Sequence, residues 1–417
     1  MSFPNPTTVS PPTVPSPQGI DLIKVCREFG TPLYLYDADI IIRQIQELKH
    51  AFTYPKVKFK YAAKALTNIS VLKLIHQQGI DLDVVSIQEG HIAIKAGFSP
   101  EQIMYTPSGV TFAEVDEAIE LGLQMNVDSL PLLRYIGQHY GNRIPCCIRL
   151  NPDIRAGGHE KISVGHNESK FGIALSQLDV MVEIVKEYGI NINGLHIHTG
   201  SDIKDAEVFV QGAHRLFSAA RHFPDLQFID FGSGFKVAYK EGDVATNISE
   251  LASLLENAFR DFCQDYGREL EMWFEPGKFI VSESGYLLTE VTVVKENPGI
   301  NFVHVDTGLN HLLRPMMYDA YHEIVNISNP DGLSKPYNIV GYICETDTIG
   351  EGRMLSEVTP GDILAIKNAG AYGISMASNY NSRLRPAEVL IYQGEAKLIR
   401  ERETLDDILR NQIEIDL

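Results

Sequence analysis

A lysine in an apolar setting is the residue of this sequence best suited to covalent chemistry. Lys64 lies in the run Tyr61–Ala65, which reads Tyr-Ala-Ala-Lys-Ala. A lysine considered alone is usually a solvated surface charge. An apolar surrounding disfavours the charged form of an amine and frees it to attack a carbonyl carbon. We therefore predict that Lys64 forms a Schiff base.

Two glycines and a serine are suited to binding a phosphate group. Gly232 and Gly234 flank Ser233, and Ser201 follows Gly200 earlier in the chain. A short glycine-rich run taken alone fits a tight turn between a strand and a helix equally well. The two runs together supply backbone N–H groups and a hydroxyl, which can bind a phosphate in a barrel enzyme. A phosphorylated cofactor would fit there.

His196 and His198 stand two positions apart and would share one face of a strand. Such a pair fits metal binding, packing in the core or stacking on a cofactor ring. A catalytic zinc needs a third ligand and an open position, and no motif here supplies them. We expect no metal and favour stacking or packing.

Glu275 is the last candidate of this set, in the run Phe274–Lys278. In an acidic protein it could be one more surface carboxylate. In a pocket it could instead hydrogen-bond a pyridine nitrogen and keep that nitrogen protonated, which is what an electron-accepting ring requires.

Short β-rich runs alternate with segments of helical period from about residue 56 onward, as is typical of β/α units with a parallel sheet. Eight runs can be counted, which predicts a closed (β/α)8 barrel. The predicted strands cover 57–61, 81–85, 103–105, 124–127, 146–150, 194–198, 228–231 and 272–274. The predicted helices cover 71–78, 87–96, 112–121, 177–188, 206–222 and 248–266.

The polar candidates all follow predicted strands, where barrel enzymes collect their chemistry. In strand order they are Lys64, Ser86 and Glu89, Ser108, Asp128, Arg149 and Asn151, His196 and His198, Gly232 to Gly234, and Glu275. One rim of the barrel is therefore expected to hold them together.

A second, mostly β domain is predicted after the barrel. Its β-rich runs cover 287–294, 301–305, 337–343, 362–366 and 387–393. The run 32–36 could join this domain from the amino-terminal side. We place the barrel at 37–285, the β-rich domain at 18–36 and 286–417, and a flexible proline-rich tail at 1–17.

Composition narrows the class of partner. The 417 residues carry a formal net charge of -18, which repels nucleic-acid phosphates and anionic membranes. The five cysteines show no CxxC spacing, so neither structural zinc nor a disulfide scaffold is indicated. No run approaches the roughly 20 apolar residues of a membrane span, and no signal-peptide pattern opens the chain. We expect a cytoplasmic protein with a small-molecule partner.

Ordered motifs along the chain resemble the barrel-type pyridoxal-phosphate enzymes, the family that contains diaminopimelate decarboxylase, ornithine decarboxylase and alanine racemase. The resemblance runs from about Gly30 to Gln393. Its landmarks are Tyr61–Ala65, Asp83–Ser86, Arg149–Asp153, Ser169–Ile173, Gly194–His198, Gly232–Phe235, Glu275–Lys278, Val305–Gly308, Arg314–Tyr318, Cys344–Glu345 and Gly370–Gly373. Around Gly157–His159 and at Arg314–Tyr318 the chain is most similar to the diaminopimelate decarboxylase branch.

The resemblance implies pyridoxal 5'-phosphate as cofactor and the decarboxylation of meso-2,6-diaminopimelate to L-lysine and carbon dioxide, the last step of lysine biosynthesis. It implies that Lys64 carries the cofactor, that His198 stacks on its ring and that Glu275 holds the ring nitrogen. The other implied cofactor-binding residues are Arg149, Ser201, Gly232, Gly234, Pro276, Gly277, Lys278 and Tyr372. The implied substrate-binding residues are Lys278, Arg314, Tyr318, Glu345 and Tyr372.

The resemblance also implies that Cys344 donates the proton after carbon dioxide leaves. Cys344 and Glu345 would reach the site of a neighbouring subunit, which implies a homodimer with shared active sites. A free cysteine taken alone is more often a buried apolar thiol, although a thiol is also a plausible acid. Arg314 could pair with a structural acid, but its guanidinium is also a natural bidentate partner for a carboxylate.

Three positions depart from the family pattern. Ser233 stands where a third glycine is usual, Asp202 where glutamine is common, and Lys278 where arginine is usual. Lysine keeps the charge of arginine but not its planar fork. The alternative is therefore a related decarboxylase that acts on ornithine, lysine or carboxynorspermidine. A non-catalytic carrier is disfavoured, because the chain retains Cys344, Glu345 and Tyr372.

Overall fold

The chain divides into two compact units. The computed structural model describes residues 15–154, 169–240 and 242–417. One unit is Ile40–Ser282, and the other combines Glu283–Leu417 with the described residues up to Asp39. Residues 1–14 of the predicted tail and the motif Gly157–His159 lie outside the described residues.

Three elements precede the first barrel strand. They are α1 (Leu22–Phe29), β1 (Leu33–Asp37) and α2 (Ala38–Ala51). The side chain of Asp21 begins α1 by accepting hydrogen bonds from two backbone N–H groups of its first turn. Helix α2 is absent from the sequence prediction.

Eight parallel strands close into a barrel, which confirms the predicted fold. They are β2 (Val57–Ala62), β3 (Asp81–Val84), β4 (Ile103–Tyr105), β5 (Gln124–Val127) and β6 (Pro145–Asn151), then, after the short β7 (Ile173–Ala174) beside β6, β8 (Asn191–Ile197), β9 (Phe228–Asp230) and β10 (Glu271–Phe274). Each barrel strand pairs with the next, and β10 pairs with β2 to close the ring. The carboxyl ends of all eight strands therefore meet at one rim.

Helices alternate with the barrel strands, and a short helix follows the last one. They are α3 (Ile69–Gln77), α4 (Ile87–Ala96), α5 (Phe112–Glu120), α6 (Leu130–His139), α7 (Leu178–Tyr188), α8 (Ala206–Ala220), α9 (Ile248–Tyr266) and the short α10 (Lys278–Val281). Helix α6 was not predicted. None of the helices in the described part of the chain combines the length and apolar character that crossing a bilayer requires.

Two of the polar residues expected at the rim have a structural task. The hydroxyl of Ser86 accepts a hydrogen bond from the backbone N–H of Glu89 at 3.2 Å. The carboxylate of Glu89 accepts one from the backbone N–H of Val85 at 2.9 Å. Both residues thus satisfy backbone donors at the start of α4.

Packed side chains fill the interior of the barrel. Phe228 and Trp273 stack with their ring centroids 3.5 Å apart. Gly194 makes room for them, because a Cβ at this position would lie 2.1 Å from a ring carbon of Phe228. Lys60 is buried beside them with Nζ 4.3 Å from the Trp273 ring centroid, and burial lowers the pKa of its amine. The interior is a core rather than a pore.

The second unit is built on a mixed sheet. Its later elements are β11 (Gly285–Asn297), β12 (Ile300–Val305), α11 (Arg314–Tyr318), β13 (Ile324–Asn326), β14 (Ser334–Val340), β15 (Thr348–Ser356), β16 (Ile363–Ile366), β17 (Ala387–Tyr392), β18 (Glu395–Arg400) and α12 (Leu405–Leu409). The main strand order is β15-β14-β12-β11-β1-β17-β18, with β16 joining β11 to β13.

The amino-terminal strand joins this sheet as predicted. Strand β1 lies antiparallel to β11 and parallel to β17, and all five of its residues are buried. Tyr36 donates a hydrogen bond to the buried carboxylate of Glu388 at 2.8 Å, and Tyr34 donates one to the carbonyl oxygen of His311 at 2.7 Å. Strand β1 is therefore central to the core of the second unit.

One predicted strand is displaced toward the amino terminus. The sequence predicts a strand over 337–343, but β14 ends at Val340. Asp347 holds the following residues in a loop, because its carboxylate accepts hydrogen bonds from the backbone N–H groups of Ile343 and Leu309. The prediction also missed β13, β15 and β18, and the loop from Gly341 to Asp347 carries two of the candidate site residues.

Candidate active site

The carboxyl ends of β2 and β3 bring a lysine and a buried aspartate together. Nζ of Lys64 lies 3.4 Å from Oδ2 of Asp83. The side chain of Lys64 is 41% exposed, whereas that of Asp83 is 1% exposed. Burial raises the pKa of the Asp83 carboxyl, the charge of Glu275 adds to this effect, and Lys64 opposes it. The amine of Lys64 is thus oriented by a carboxyl group but remains accessible to a ligand.

Glu275 follows β10 and is buried. Its Oε2 lies 3.3 Å from Nε2 of His196, and its Oε1 has no hydrogen-bond partner among the described residues. Burial raises the pKa of this carboxyl, but the contact with His196 and the charge of Lys64 outweigh burial and hold the pKa well below its usual range. The residue is therefore an ionised carboxylate with one oxygen available to accept a hydrogen bond.

A third buried carboxyl, that of Asp230, lies close to Glu275. Oδ1 of Asp230 accepts a hydrogen bond from the backbone N–H of Gly232 at 2.8 Å. Burial and the charge of Glu275 raise the pKa of Asp230 well above its usual range. His196, Asp230 and Glu275 each place a ligand-type atom within 4.8 Å of the others. Sequence reasoning missed Asp230, because it lies within a buried strand rather than in a loop after one.

His198 is held as a neutral ring. The backbone N–H of Ser233 donates a hydrogen bond to its Nδ1 at 3.4 Å. Burial and the positive charge of Arg149 lower the pKa of His198 well below its usual value. Gly232 lies close by at a φ of +61°, and a Cβ there would lie 2.5 Å from the carbonyl oxygen of Ile197. Only glycine permits this approach of the two loops.

The loops after β8, β9 and β10 pack closely together. Gly234 has a φ of +131°, and a Cβ on it would lie 2.3 Å from the carbonyl oxygen of Gly200. Ser201 follows Gly200 and is half-buried. A Cβ on Gly277 would lie 3.1 Å from Cβ of Ala62, two residues before Lys64. The glycines thus bring the predicted phosphate-binding loops together.

The loop after β10 is also tied to the strand that leads to Lys64. The backbone N–H of Ala62 donates a hydrogen bond to the carbonyl oxygen of Pro276 at 3.3 Å. The backbone N–H of Glu275 donates one to the carbonyl oxygen of Gly232 at 2.8 Å. These contacts fix the loop that carries Glu275 between its two neighbours at the rim.

Two of the residues that depart from the family pattern contact each other. Nζ of Lys278 lies 2.7 Å from Oδ1 of Asp202, and both side chains are largely buried. Asp202 has a φ of +60°, which is uncommon for a residue with a side chain. The charge that Lys278 was expected to offer to a ligand is thus already balanced by Asp202. The residues are far apart in the chain, so the sequence did not reveal this pair.

In the second unit, Cys344 and Glu345 lie exposed on the loop between β14 and β15. The backbone N–H of Cys344 donates a hydrogen bond to Oδ1 of Asn381 at 3.0 Å, and Nδ2 of Asn381 donates one to Sγ of Cys344 at 3.2 Å. Tyr380 donates one to Oε1 of Glu345 at 2.8 Å, and its hydroxyl lies 3.7 Å from Sγ. Tyr380 and Asn381 therefore hold the thiol and the carboxylate.

Sequence reasoning missed both of these holding residues. Asn381 has a φ of +54°, in the left-handed region that asparagine tolerates better than most residues. An asparagine in a loop is too common to serve as a signal by itself. Only the folded chain identifies its partner.

The remaining predicted residues of this unit occupy other positions. Arg314 begins α11, where it is buried, and its guanidinium carbon lies 6.0 Å from the ring centroid of Tyr318. Tyr372 lies after β16 with a φ of +56°. The structure thus brings Arg314 and Tyr318 together on one short helix.

The closed barrel with a lysine, a neutral histidine and an ionised glutamate at one rim matches a known class of enzyme. Residues 38–282 match the family described as the pyridoxal binding domain of pyridoxal-dependent decarboxylases. The chain belongs to this family of pyridoxal-dependent decarboxylases, which confirms the family predicted from the motifs.

Within this family, the chain is similar to diaminopimelate decarboxylases. It is 38% identical to the one from Methanothermobacter thermautotrophicus, over 94% of each chain. The crystal structure of diaminopimelate decarboxylase from Helicobacter pylori complexed with L-lysine has 35% identity and a TM-score of 0.87, and the match covers 94% of this chain and 98% of that one. The lysine/ornithine decarboxylase from Vibrio vulnificus complexed with putrescine shares the fold at 24% identity, with a TM-score of 0.77 and coverage of 90% and 98%.

Pyridoxal phosphate is the cofactor of this family, and the residues of the barrel fit it. Oε1 of Glu275 is buried without a partner among the described residues, and this is the acceptor that a pyridine N–H requires. The amine of Lys64 is accessible to a carbonyl group. Glu275 thus offers an acceptor for the ring nitrogen of the cofactor, and Lys64 offers an amine for its carbonyl group.

Proposed function

We propose that this protein decarboxylates meso-2,6-diaminopimelate to L-lysine and carbon dioxide with pyridoxal phosphate. The observation that carries the proposal is the pairing, at one barrel rim, of an accessible amine on Lys64 with a buried, ionised Glu275. Similarity to diaminopimelate decarboxylases over 94% of the chain supports this choice of substrate over ornithine or lysine.

The barrel residues prepare the site for the cofactor. When bound, pyridoxal phosphate supplies a ring that accepts the electron pair left behind by the departing carboxylate. Lys64 would hold the cofactor through its carbonyl group, and Asp83 would orient the amine of Lys64. Oε1 of Glu275 would accept a hydrogen bond from the ring nitrogen and favour its protonated form. The neutral ring of His198 would contact the cofactor.

The loops at the rim bind the phosphate group. The residues that we assign to this task are Ser201, Gly232, Gly234, the loop Glu275–Lys278 and Tyr372, with Arg149 beside the ring. Lys278 contributes as a member of its ion pair with Asp202, so it offers N–H donors but little net charge.

Residues of the second unit bind the far end of the substrate and move a proton. Arg314 is suited to the distal carboxylate as a bidentate donor, and Tyr318 and Glu345 are suited to the distal ammonium. Cys344 donates a proton to the carbon that loses carbon dioxide. The N–H of Asn381 then stabilises the negative charge that remains on the sulfur.

The protein acts as a homodimer in the cytoplasm under this proposal. Cys344 and Glu345 are exposed, which suits residues that serve a neighbouring subunit. All five cysteines are free, as a reducing compartment requires.

A substrate panel tests the reaction. Purified protein with pyridoxal phosphate is supplied in turn with meso-diaminopimelate, ornithine, lysine and carboxynorspermidine, and carbon dioxide and amine products are measured. We expect carbon dioxide and L-lysine from meso-diaminopimelate. Strong turnover of ornithine or lysine with none of diaminopimelate would reject the proposal.

Mixed dimers test the sharing of active sites. The variants Lys64→Ala and Cys344→Ala are each expected to be inactive, but a mixture that exchanges subunits should contain dimers with one intact site. Equal amounts should recover about a quarter of the wild-type activity, because half of the dimers are mixed and each has one working site of two. No recovery, with exchange verified, would contradict shared sites.

A further inference from the structure

His196 is a buried titratable residue that the proposed mechanism leaves without a role. It lies on β8 and is fully buried. Its Nδ1 is 2.8 Å from Nδ2 of Asn126, a buried residue on β5. The same amide nitrogen of Asn126 lies 3.3 Å from the hydroxyl oxygen of Thr106, so the amide is held between two groups.

These contacts determine where the proton of the imidazole lies. The amide of Asn126 donates an N–H to Nδ1 of His196, so Nδ1 is the acceptor and the ring proton lies on Nε2. Nε2 lies 3.3 Å from Oε2 of Glu275, within ion-pair distance, and makes no hydrogen bond to the described residues. The protonated nitrogen of His196 therefore lies beside one oxygen of Glu275, which leaves Oε1 for the ligand.

We propose that His196, oriented by Asn126, is a positioning residue that holds Glu275 so that its Oε1 meets the ring nitrogen of pyridoxal phosphate. This inference rests on the proposed function, because it concerns the same cofactor. It adds His196 and Asn126, to which neither the motifs nor the mechanism assigns a task.

The electrostatics of the barrel explain why Glu275 needs this support. Burial penalises its negative charge, and two more buried carboxyls lie nearby, Asp230 on the neighbouring β9 and Asp83 on β3. The positive charges around it are those of Lys64 and Arg149 at the rim. The neutral imidazole of His196 adds an N–H beside one of its oxygens. Without the N–H of His196, Glu275 would be a buried carboxylate with both oxygens unpartnered, and it would take up a proton or turn away.

The test observes the ring nitrogen directly. The protein is loaded with pyridoxal phosphate carrying 15N in the ring, and the 15N chemical shift reports whether that nitrogen is protonated. We expect a protonated nitrogen in the wild type and a shift toward the unprotonated position in His196→Leu. The dissociation constant for pyridoxal phosphate should rise about tenfold, as for loss of a hydrogen bond to a charged group. His196→Gln retains an N–H donor and should recover part of both effects.

A matched control lies on the same two strands. Asn193 on β8 and Gln124 on β5 exchange hydrogen bonds of 3.0 and 3.2 Å away from Glu275. Asn193→Ala breaks a buried polar pair between the same strands, so it should lower stability without changing the 15N shift. Asn126→Leu provides a second route, because it removes the orienting amide and keeps His196.

The outcomes separate the inference from the proposed function. Wild-type 15N shifts and cofactor affinity in both His196→Leu and Asn126→Leu would overturn it, as would an equal change in Asn193→Ala. No substrate is present in this measurement. A wild type with a protonated ring nitrogen but no turnover of diaminopimelate would therefore reject only the substrate, whereas a wild type that binds no pyridoxal phosphate would overturn both.

Discussion

The two groups of functional residues differ in their exposure to water. The barrel cluster, made of Lys64, Asp83, His196, Asp230 and Glu275, is buried apart from the end of the lysine. The pKa values of its three carboxyls are all displaced, two upward and one downward, because burial removes water and makes each neighbouring charge count.

The thiol loop, made of Cys344 and Glu345 with Tyr380 and Asn381, lies in solvent. The hydrogen bonds of Tyr380 to Cys344 and Glu345 raise its pKa, so its hydroxyl stays a donor. In the barrel cluster, burial determines which carboxyl groups are ionised before a ligand binds. In the thiol loop, hydrogen bonds determine only where the thiol and the carboxylate lie. Changes in the barrel cluster should alter cofactor binding and protonation, whereas changes in the thiol loop should alter proton transfer or substrate binding and leave cofactor binding unchanged.

Removal of Lys64 should have the largest effect. Lys64→Ala deletes the amine that holds the cofactor, so kcat should fall by about ten-thousandfold or more, the upper range for a group that transfers protons and forms a covalent bond. Borohydride reduction and peptide mapping should place the cofactor label on Lys64 of the wild type. Lys58→Ala is the control and should remain active, because Lys58 is an exposed lysine on the strand that leads to Lys64. A label elsewhere would contradict the assignment.

Removal of the thiol should lower kcat and spare cofactor binding. Cys344→Ala should reduce kcat by about a thousandfold, as for loss of a general acid, with the cofactor spectrum unchanged. Iodoacetamide near neutral pH should label Cys344 first, because the other cysteines are buried and burial raises the pKa of Cys26 and Cys146 to about 12. Cys263→Ala is the control. Altered cofactor binding in Cys344→Ala would contradict the proposal that only the barrel cluster affects the cofactor.

The ion pair of Lys278 and Asp202 should behave as one unit. Either Lys278→Ala or Asp202→Ala leaves a largely buried charge without its partner, which costs about 3 kcal/mol of stability. The double variant should lose much less than the sum of the two. Denaturant unfolding of the four proteins measures this coupling. Additive losses would show that each residue acts separately, and Lys278 would then be available to a ligand.

Loss of the hydrogen bonds between Asn381 and Cys344 should have a smaller effect on kcat. Asn381→Ala removes two hydrogen bonds to Cys344 in a solvated loop, where each contributes about 1 kcal/mol. We expect kcat to fall by about fivefold to tenfold and KM to change little, with a parallel drop in the rate of thiol alkylation. Asn379→Ala, a nearby loop residue without these contacts, serves as the control. Unchanged alkylation with reduced kcat would assign Asn381 another role.

Asp230 should make the stability of the folded protein depend on pH. Its pKa in the folded protein lies above the unfolded value of about 4, so the folded state binds the proton more tightly and loses stability as pH rises through this interval. Asparagine cannot lose a proton. The melting temperature of the wild type, relative to Asp230→Asn, should therefore fall as pH increases above about 4.

The exposed Asp225 offers the matched comparison for this pH effect. Asp225→Asn should give a melting curve against pH that runs nearly parallel to the wild type. A parallel curve for Asp230→Asn as well would show that folding does not raise the pKa of Asp230.

Much of the fold could be predicted from the sequence. All eight barrel strands lie within a few residues of their predicted positions, because a strand buried on both faces is a short apolar run with turn residues at its ends. The sequence prediction missed α2 and α6, and the strands β13, β15 and β18. The short β13 and the mostly exposed β18 carry a weak pattern, whereas α2 and α6 have a buried face that the prediction overlooked.

The candidate site was only partly predictable. Lys64, His198 and Glu275 were named from their motifs, and their roles remain predictions. Asp230, Asn126 and Asn381 were missed, because single polar residues have no periodicity and their importance depends on what they contact.

The sequence by itself determined the order of strands, the family and the position of the lysine at the end of the first barrel strand. These follow from local hydrophobic pattern and from motifs that are continuous in the chain. Only the tertiary structure decided which charges meet. Closure of the barrel places His196 against Glu275, and the loops after two strands place Asp202 against Lys278. Charge states in a buried site depend on such distances, which no linear pattern contains.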